Sequence, residues 1–552
     1  MDSEASRKTH DSIIAIMEDL QDHERRPSAL PADRVEMKRL GKKQELRRNF
    51  NLVSIFSFMC VKMSTWVFVV MGSFSALRAA GTGGYIAVYG ATCIVYLPFV
   101  LSFAEMASIA PTAGGQYHWT SEFAHPRAQR IMSHTAGWLL TVSWFCSTAF
   151  KMFLSGSTIA RCINIMYPWT YSETRRGTYI RFIPVILISV AGMALNTVGA
   201  GHLALVEVTV AAFFVLGFAT NLIVLWIMAP LNPAKEVFGS FTNIPNWPNI
   251  ATTMLLAQNT ILWLVSGSDG AAHMAEDTQD ASLNVPRGIL GSYLISAISG
   301  FVMVITYCFC HRPDPDLVSF TSFPFMEIYA RATGSNSGTV GLTAIVTILS
   351  FFSGTNAMAS ASRQTFAFAR DGGLPFHKAL SKVSPKFHVP IMAVFVVFFS
   401  SLLLVALAKL DHMAYQTLMA LQSLAYIAVF EIAVGTLIFR RLWGPPLPER
   451  RWSLGRAGLP INVFAFAYGL FAAGIMAMPT DDFKGHCPPH GCLVRNWNWG
   501  TVIFVGIMLI GMGYYLLGGR KHYAGPVTLV SDEGGWKPVR PLHVRHSPPT
   551  AG

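Results

Sequence analysis

Long apolar runs dominate the chain from residue 50 onwards, and polar stretches frame them at both ends. About twelve runs come close to or exceed the ~20 residues that an α-helix needs to cross ~30 Å of hydrocarbon. They lie at 52–74, 84–108, 131–162, 180–199, 203–229, 250–274, 288–310, 338–366, 389–408, 415–439, 459–478 and 498–518. The pattern predicts an all-α integral membrane protein with about 12 transmembrane helices.

The polar ends divide the chain into three parts. We expect residues 1–49 to form a largely disordered tail in the cytosol, because basic and acidic residues mix there without an apolar run. Residues 50–518 form one transmembrane domain, and residues 519–552 form a short cytosolic C-terminal tail. No connection between the apolar runs is long enough to fold alone, so we predict neither an attached enzyme domain nor a cofactor.

Charge patterning adds an orientation to this picture. The chain carries 42 Lys and Arg against 30 Asp and Glu, a formal net charge of +12. With the N-terminus in the cytosol, most of the basic residues fall in inside segments, as the positive-inside rule requires. The basic balance therefore reports membrane topology, and we expect no nucleic-acid partner.

One apolar run is interrupted by glycines. Residues 261–270 read Ile-Leu-Trp-Leu-Val-Ser-Gly-Ser-Asp-Gly, so Gly267 and Gly270 flank Asp269 at membrane depth. Lipid offers no hydrogen bonds to the backbone, and a broken helix is tolerated there only if it is buried or lines a cavity. Secondary transporters bind their substrates at such breaks. The stretch therefore predicts a transporter of small molecules.

The first apolar run contains a lysine, Lys62. Ten residues at ~1.5 Å each place it about 15 Å below Leu52, near the bilayer midplane. An insertion cost of roughly 2.5–3.5 kcal/mol disfavours a lysine without a role at this depth. Three roles remain open: binding a substrate carboxylate, replacing a bound cation so that transport couples to protons, or forming a structural salt bridge.

Three segments resemble motifs of the amino acid–polyamine–organocation transporters, in the correct order and spacing. Residues 103–119 resemble the signature that closes the second helix and opens the first inside loop. Residues 266–278, followed by 285–288, resemble the broken sixth helix and its loop, and residues 361–375 resemble the eighth helix. The resemblance covers residues 45–520 and points to the fungal amino-acid/choline branch, which includes permeases for γ-aminobutyric acid (GABA) and for choline.

This resemblance implies a five-plus-five inverted repeat with broken helices 1 and 6, two further C-terminal helices, and alternating access to a central site. Carried onto this chain, the substrate-binding residues are Lys62, Met63, Ser64, Thr65, Trp66, Ser266, Gly267, Ser268 and Asp269. Two positions depart from the family pattern and bear on the substrate. Lys62 stands where small residues are common, and Ser268 stands where an aromatic residue is frequent.

Two of these residues have a second interpretation. Asp269 either binds the ammonium group of a substrate or caps the N–H groups freed after the break. Trp66, and with it Trp144 and Trp263, could stack on an amine by a cation–π contact, although most aromatic residues in such a protein are packing or interface anchors.

Charged residues elsewhere along the membrane domain are candidates for coupling or gating. They are Glu105, Lys151, His273, Glu276, Arg363 and Glu431. Lys151 and Glu431 could pair with each other, with Lys62 or with water in the pathway. Glu105 lies near the inside end of its run, where solvation at the level of the headgroups accounts for it.

The remaining candidates belong to the cytosolic side. We expect His273 and Glu276 to form the inner side of a gate. Arg363, together with Arg370 and Asp371, is expected to lock an inside loop, although the positive-inside rule explains the arginines nearly as well.

Cys487 and Cys492 fall in the outside loop before the last run, in the sequence His-Cys-Pro-Pro-His-Gly-Cys. A disulfide, a pair of free thiols and a metal site are the alternatives there, and the outside compartment favours the disulfide. We expect no other metal site in the chain.

Taken together, these observations predict a secondary active transporter of amino acids or related amines such as GABA. Its partners would be the small-molecule substrate, protons as coupling ion and the lipid bilayer, and it would reside as a multi-pass protein in the plasma membrane. A carrier of choline, another quaternary amine or a polyamine is the alternative within this class. From another class, a non-transporting nutrient receptor remains. We expect no enzymatic activity.

Overall fold

The computed structural model describes residues 31–42, 44–168, 182–244, 247–311, 323–408, 412–478, 498–523, 525–532 and 535–539. Cys487 and Cys492 lie outside these ranges, so their pairing stays a prediction. In the first half of the chain the helices are α1 Pro31–Arg39, α2 Leu52–Met63, α3 Thr65–Gly72, α4 Phe74–Ile109, α5 Gln116–Phe123, α6 Pro126–Met166, α7 Phe182–Thr197, α8 Leu203–Met228, α9 Ala234–Gly239, α10 Ile250–Val265 and α11 Gly270–His273.

The second half continues the helical pattern. Its helices are α12 Ala281–Cys310, α13 Pro324–Thr333, α14 Asn336–Arg370, α15 His377–Leu380, α16 Ile391–Ala408, α17 His412–Trp443, α18 Gly458–Met476, α19 Trp499–Tyr514 and α20 Arg520–His522. Short 3₁₀ turns occupy Ala200–His202, Ala275–Asp277 and Gly455–Ala457, and Tyr515–Gly519 forms a π turn. A hairpin of β1 Thr528–Asp532 and β2 Gly535–Val539 follows, antiparallel with Thr528 opposite Val539.

Each of the apolar runs predicted from the sequence overlaps a helix. Among the described residues, nine helical segments are long and apolar enough to cross a membrane. They are Leu52–Gly72, Phe74–Ile109, Ala200–Met228, Ile250–His273, Ala281–Cys310, Asn336–Arg370, Thr417–Trp443, Gly455–Met476 and Trp499–His522. The all-α membrane architecture is therefore confirmed, whereas the count of about 12 spans and the inverted repeat stay predictions.

The first span lies at the centre of the molecule. In its most apolar window 89% of the residues are buried, and α2 contacts α8, α12 and α14. The surrounding helices instead expose apolar side chains on their outer faces, for example Leu205, Val215 and Ile227 on α8. An apolar outer face is what a helix in contact with lipid tails requires. The fold thus encloses the helix that carries Lys62.

The break in the first span occurs at Ser64. This residue has φ 40° and ψ 43°, so α2 ends at Met63 and α3 begins at Thr65. A left-handed conformation is uncommon for a non-glycine residue and needs support from its surroundings. The Ser64 backbone N–H donates to the Cys60 carbonyl at 2.9 Å, and its hydroxyl donates to the Val61 carbonyl. The predicted break beside Lys62 is therefore present.

The second break separates α10 from α11. Ser266 is extended, and Gly267 has φ +99°, a backbone conformation that residues other than glycine rarely adopt. A Cβ atom at Gly267 would also lie 2.6 Å from Lys62 Nζ. The turn itself therefore requires glycine, and a side chain at this position would also displace the end of Lys62.

Part of the predicted N-terminal tail is ordered against the inner loops. The Asp33 carboxylate accepts hydrogen bonds from the backbone N–H groups of Asp280 and Ala281, at 2.9 and 3.1 Å, where α12 begins. Arg48 donates to the Ala275 carbonyl at 3.0 Å. Carbonyls freed by the 3₁₀ turn after the broken helix need donors, and Arg48 supplies them. These contacts place Asp33 and Arg48 against the loop before α12, while the tail over residues 1–49 as a whole stays a prediction.

Candidate functional site

A cavity lies where the two broken helices meet. It is lined by Lys62, Met63, Phe68, Ser143, Trp144, Ser147, Lys151, Trp263, Leu264, Ser266, Gly267, Asp269, Gln422 and Tyr426. Its volume is about 30 Å³, which is room for roughly two water molecules. A larger ligand can enter only when lining side chains move.

Lys62 fills much of this space. Its Nζ donates to the Gly267 carbonyl and lies 4.4 Å from the centroid of the Trp144 ring. No described carboxylate lies within ion-pair distance of Lys62, so the structural salt bridge finds no partner in this part of the chain. Because an ammonium group has three N–H donors, Lys62 can donate a hydrogen bond to a further acceptor.

Asp269 is the negative counterpart of Lys62. Its Oδ2 accepts a hydrogen bond from Gln116 Nε2 at 2.6 Å and lies 3.8 Å from His273 Nε2. Its Oδ1 is buried without a hydrogen-bond partner, and the side chain does not cap α11. A buried carboxylate oxygen without a donor is costly, and a ligand with a donor group would satisfy it.

Lys151 joins three helices at the end of α2. Its Nζ donates to the Lys62 carbonyl at 2.7 Å and to Ser353 Oγ of α14 at 2.8 Å. The Ser353 hydroxyl donates to the same carbonyl. The sequence leaves a pair between Lys151 and Glu431 open, but the structure shows none. Glu431, on α17, has both carboxyl oxygens without a partner among the described residues.

His273 links the cavity to the inner side. Trp144 Nε1 donates to His273 Nε2 at 3.0 Å, and His273 Nδ1 lies 2.9 Å from the Ala113 carbonyl. An indole N–H can only donate, so Nε2 must be the accepting nitrogen. His273 Nδ1 is then the nitrogen that can donate to the Ala113 carbonyl.

The hydrogen-bond chain continues from Ala113 to an ion pair. The Ala113 N–H donates to Glu276 Oε1 at 3.1 Å, and the Arg370 guanidinium donates to both Glu276 carboxylate oxygens at 2.8 and 2.9 Å. Burial by itself raises the pKa of Glu276, but the Arg370 guanidinium outweighs this effect and holds the pKa below its ordinary value. The pair is thus connected to the cavity lining through Ala113 and His273, and Glu276 is one of the residues that the sequence predicts to form a gate.

The other charged candidates make specific contacts close to this ion pair. Arg363 lies 3.5 Å from Asp277, one residue after Glu276. Asp371 pairs with Lys42 of the N-terminal segment and accepts a hydrogen bond from the Tyr117 hydroxyl at 3.0 Å. The structure thus gives these charged groups specific partners beyond their general inside location.

Glu105 is buried, in contrast with the headgroup-level solvation that the sequence suggests. It pairs with Arg441 and with Arg450, the latter at 3.0 Å, and accepts a hydrogen bond from the Leu454 N–H at 3.2 Å. These partners lie more than 330 positions away along the chain. The segment that follows α17 thereby covers the inner end of α4.

Not all of the predicted site residues face the cavity. Ser64, Thr65, Trp66 and Ser268 are buried but do not line it. Trp66 packs against Phe214 and Phe218 of α8, with ring centroids 5.8 and 5.7 Å apart. Packing is therefore the role of Trp66 in this structure.

We predict that two tryptophans, Trp66 of α3 and Trp144 of α6, differ in their effect on uptake. Trp144→Phe removes the donor to His273 and reduces the ring surface under Lys62, which contribute about 0.5–2 kcal/mol each. We expect the substrate concentration for half-maximal uptake to rise about tenfold or more. Trp66→Phe is the matched control and should leave that concentration near the wild-type value. Equal effects of the two variants would contradict this assignment.

The sequence analysis misses several lining residues. Gln422 and Tyr426, on α17, complete the cavity opposite α2, and the Gly267 N–H points at the Tyr426 hydroxyl at 3.4 Å. Ser143 and Ser147 of α6 lie one turn apart on the same wall. Single polar residues within apolar runs carry no signal of which face they occupy, so only the fold identifies them.

Comparison with known proteins agrees with this architecture. The family described as amino acid permease matches residues 50–512. The GABA-specific permease of Saccharomyces cerevisiae is 27% identical and covers 90% of this chain and 86% of its own length. The amino-acid permease BAT1 of Arabidopsis thaliana is 26% identical, with coverages of 90% and 97%. A mutant manganese transporter of Eremococcus coleocola shares the fold, with a TM-score of 0.52, 12% identity and coverages of 90% and 98%.

Proposed function

This chain belongs to the amino acid permease family, and we propose that it is a secondary active transporter of amino acids, including ω-amino acids such as GABA, working by alternating access. The observation that carries the proposal is the pair of opposite charges in one buried cavity at the helix breaks. Lys62 keeps unused donors, and Asp269 Oδ1 lacks a donor. A zwitterion satisfies both groups at once.

A substrate with a single charge fits this cavity less well. A cation such as choline would face Asp269 favourably but would also face Lys62, at the cost of a like-charge contact in a dry site. A carboxylate without an amine would leave Asp269 unsatisfied. Compounds that carry both charges are therefore the class that the cavity favours.

We infer an exchange of partners during binding. Lys62 now donates to the Gly267 carbonyl, within a cavity too small for an amino acid. When the substrate carboxylate takes the Lys62 ammonium group, the carbonyl becomes free to accept from the substrate ammonium group, together with Asp269. Movement of the long Lys62 side chain also creates the space that the substrate needs. The glycine at position 267 permits both arrangements because it has no side chain to block them.

Alternating access would use the hydrogen-bond chain below the cavity. Trp144, His273 and the Ala113 backbone connect the substrate site to the Glu276–Arg370 pair. In an inward-open state these contacts must part, so that the substrate can leave on that side. The chain of contacts also gives the occupied site a route by which to influence the gate.

The inner loops and the N-terminal segment carry the basic cluster that faces the cytosol in this proposal. Lys42 and Arg48 of the segment lie on the same side as Arg441 and Arg450, since all of them pair with groups at the inner ends of the spans. The positive-inside rule then orients both termini towards the cytosol. We propose the plasma membrane as the location.

Protons are the coupling ion that we favour. The Lys151 ammonium group sits between the Lys62 carbonyl and the Ser353 hydroxyl, two oxygens of the kind that would ligate a sodium ion. The Lys151 amino group occupies this place in the structure, which supports proton coupling over coupling to a metal cation bound there.

Counterflow in proteoliposomes tests the proposal. Vesicles loaded with an excess of an unlabelled amino acid should take up the labelled compound, for GABA or for other members of an amino-acid panel. Uptake of choline or a polyamine in preference to every amino acid would replace the substrate class. Absence of counterflow for all compounds by folded protein would favour the receptor function instead.

A further inference from the structure

A fully buried glutamate lies outside the substrate cavity, on α8. Glu207 has no exposed surface, and its Oε2 accepts a hydrogen bond from Asn356 Nδ2 of α14 at 2.8 Å. Its Oε1 has no hydrogen-bond partner, and neither has Asn356 Oδ1. No ion pair of Glu207 exists among the described residues. The sequence analysis does not single this residue out, because a single glutamate in an apolar run gives no sign of its surroundings.

The chemistry of this contact favours a carboxyl group that exchanges a proton. An ionised carboxylate has capacity for several donors, and a dry site with a single neutral amide is a poor environment for the charge. A proton on the carboxyl removes the charge and supplies one donor at a place where two acceptors lack one. The closed, dry arrangement of the structure is thus matched to the protonated form.

Within the part of the chain that the structure describes, no other group around Glu207 offsets its charge. The charged groups on the elements packed against α8 are Lys62, His202, Arg287, Glu327, Arg331, Arg363 and Arg370. None of them makes a described contact with the carboxyl: Lys62 bonds to Gly267, Arg370 pairs with Glu276, and His202 and Arg287 are exposed. The uncharged titratable groups on these elements, Cys60, Tyr307 and Tyr329 among them, likewise make no described contact with it.

Asn356 connects this carboxyl to the substrate site. Its Nδ2 also donates to the Phe58 carbonyl of α2 at 3.3 Å, one turn before Lys62. Three residues earlier on α14, Ser353 bonds to the Lys62 carbonyl. Ser353 and Asn356 of α14 therefore both form hydrogen bonds with the last turns of α2, and Asn356 also donates a hydrogen bond to Glu207.

We propose that Glu207 is the binding site of the co-transported proton, and that Asn356 couples its protonation to the position of α2. This inference rests on the proposed function as a proton-coupled transporter. In the step itself, a carboxylate oxygen of Glu207 forms an O–H bond with a proton from one side of the membrane. The same bond breaks on the other side, and the proton leaves to water.

The two states of Glu207 would favour different conformations. Protonated, the carboxyl is neutral and stays in the dry contact between α2, α8 and α14. Ionised, it needs further donors, so water must reach it, and the helices around it must separate. A proton thus stabilises the closed state, and its loss favours the opening through which it departs.

The test uses the purified full-length chain in proteoliposomes, with labelled GABA or, where GABA gives no counterflow, an equimolar mixture of labelled amino acids. An inward pH gradient of one unit can drive about tenfold accumulation for one proton per substrate. We expect wild type to accumulate substrate and Glu207→Gln to reach only equilibration, while counterflow by this variant continues. Glutamine keeps the contact with Asn356 but cannot exchange a proton.

Two further variants make the result specific. Glu431→Gln neutralises the rival coupling candidate, a carboxyl whose two oxygens have no hydrogen-bond partner among the described residues, and under this proposal the variant keeps the pH-driven accumulation. Glu207→Asp should restore part of it, because the titrating group returns. Accumulation by Glu207→Gln at the wild-type level would overturn the inference, as would loss of accumulation in Glu431→Gln alone. Loss of counterflow in both Glu207 variants, with the proteins folded, would assign a structural role and overturn it as well.

The proposed function and this inference fail in different ways. If wild type shows no counterflow with any amino acid, the proposed function is wrong before any variant is measured. If wild type shows counterflow but no accumulation in a pH gradient, amino-acid transport stands, whereas the proton site at Glu207 is rejected.

Discussion

Replacing Lys62 with methionine is expected to raise the substrate concentration for half-maximal uptake by about 100-fold, because a buried charge-assisted hydrogen bond contributes roughly 1.5–3 kcal/mol. Methionine has nearly the same length and no charge, so packing around the cavity should persist. The variant removes the donor for the substrate carboxylate, together with the hydrogen bond to the Gly267 carbonyl and the contact with the Trp144 ring that Lys62 makes in the structure. Uptake of labelled amino acid by surface-expressed protein measures the effect.

A control and a contrary outcome make this prediction decisive. Lys378→Met, at an exposed position of α15, should behave as wild type. If the substrate carries no carboxylate, Lys62→Met should instead leave uptake unchanged or improve it, because the lysine then only opposes the cationic ligand. Unchanged amino-acid uptake in Lys62→Met would remove this residue from the binding site.

The second large effect is expected at the Glu276–Arg370 pair, the proposed inner gate. Glu276→Gln leaves the Arg370 guanidinium, whose side chain is only 14% exposed, without this charge partner, and breaking a buried pair on one side costs about 3–5 kcal/mol. The double variant Glu276→Gln/Arg370→Met should recover part of this loss, since no unpaired charge remains. Thermal unfolding of the purified protein in detergent measures both.

A matched control exists on α13. Arg331 and Glu327 form a partly exposed pair four residues apart, with 30% and 36% of their side-chain surface accessible. Such pairs contribute less than about 1 kcal/mol, so Glu327→Gln should shift the unfolding temperature little. If Glu327→Gln lowered the unfolding temperature as much as Glu276→Gln, the Glu276–Arg370 pair would contribute no more to stability than a partly exposed pair, which would contradict the prediction.

The pH dependence of the gate pair follows from the lowered pKa of Glu276. A group whose pKa is lower in the folded state stabilises the fold above its unfolded value, and the effect is lost as the pH falls through the lowered value. The ordinary value is 4.5, so the difference in stability between wild type and Glu276→Gln should stay constant from about pH 8 to about pH 5. It should shrink only below that window. A decline already between pH 7 and pH 6 would contradict the assignment.

A local signal allowed the second helix break to be predicted, whereas the first was predicted from the family resemblance. Gly267 lies in a short glycine-flanked segment, but neither glycine nor proline interrupts the first span around Ser64. A glycine interruption of an apolar run involves only a few neighbouring residues, so it can be recognised in a single sequence. The fold class follows from the same kind of evidence, because the length of an apolar run is itself a local property.

Contacts across the fold could not be predicted in the same way. The partners of Glu105 come from a segment more than 330 residues later, and Trp66 is held by aromatic residues of α8. Which face of a helix meets the cavity depends on the packing of several spans at once. This is why the sequence misses Gln422 and Tyr426, and why Glu207 becomes visible only through its contact with Asn356.

The recognition of two opposite charges by Lys62 and Asp269 is the centre of this account, and a competition series tests it directly. Counterflow of the best labelled amino acid is measured against three unlabelled competitors: the amino acid itself, its amide, and the acid without the amino group. We predict that only the intact amino acid competes, with about 100-fold weaker effects of the other two. Equal competition by the amide would remove the carboxylate from recognition and contradict the account.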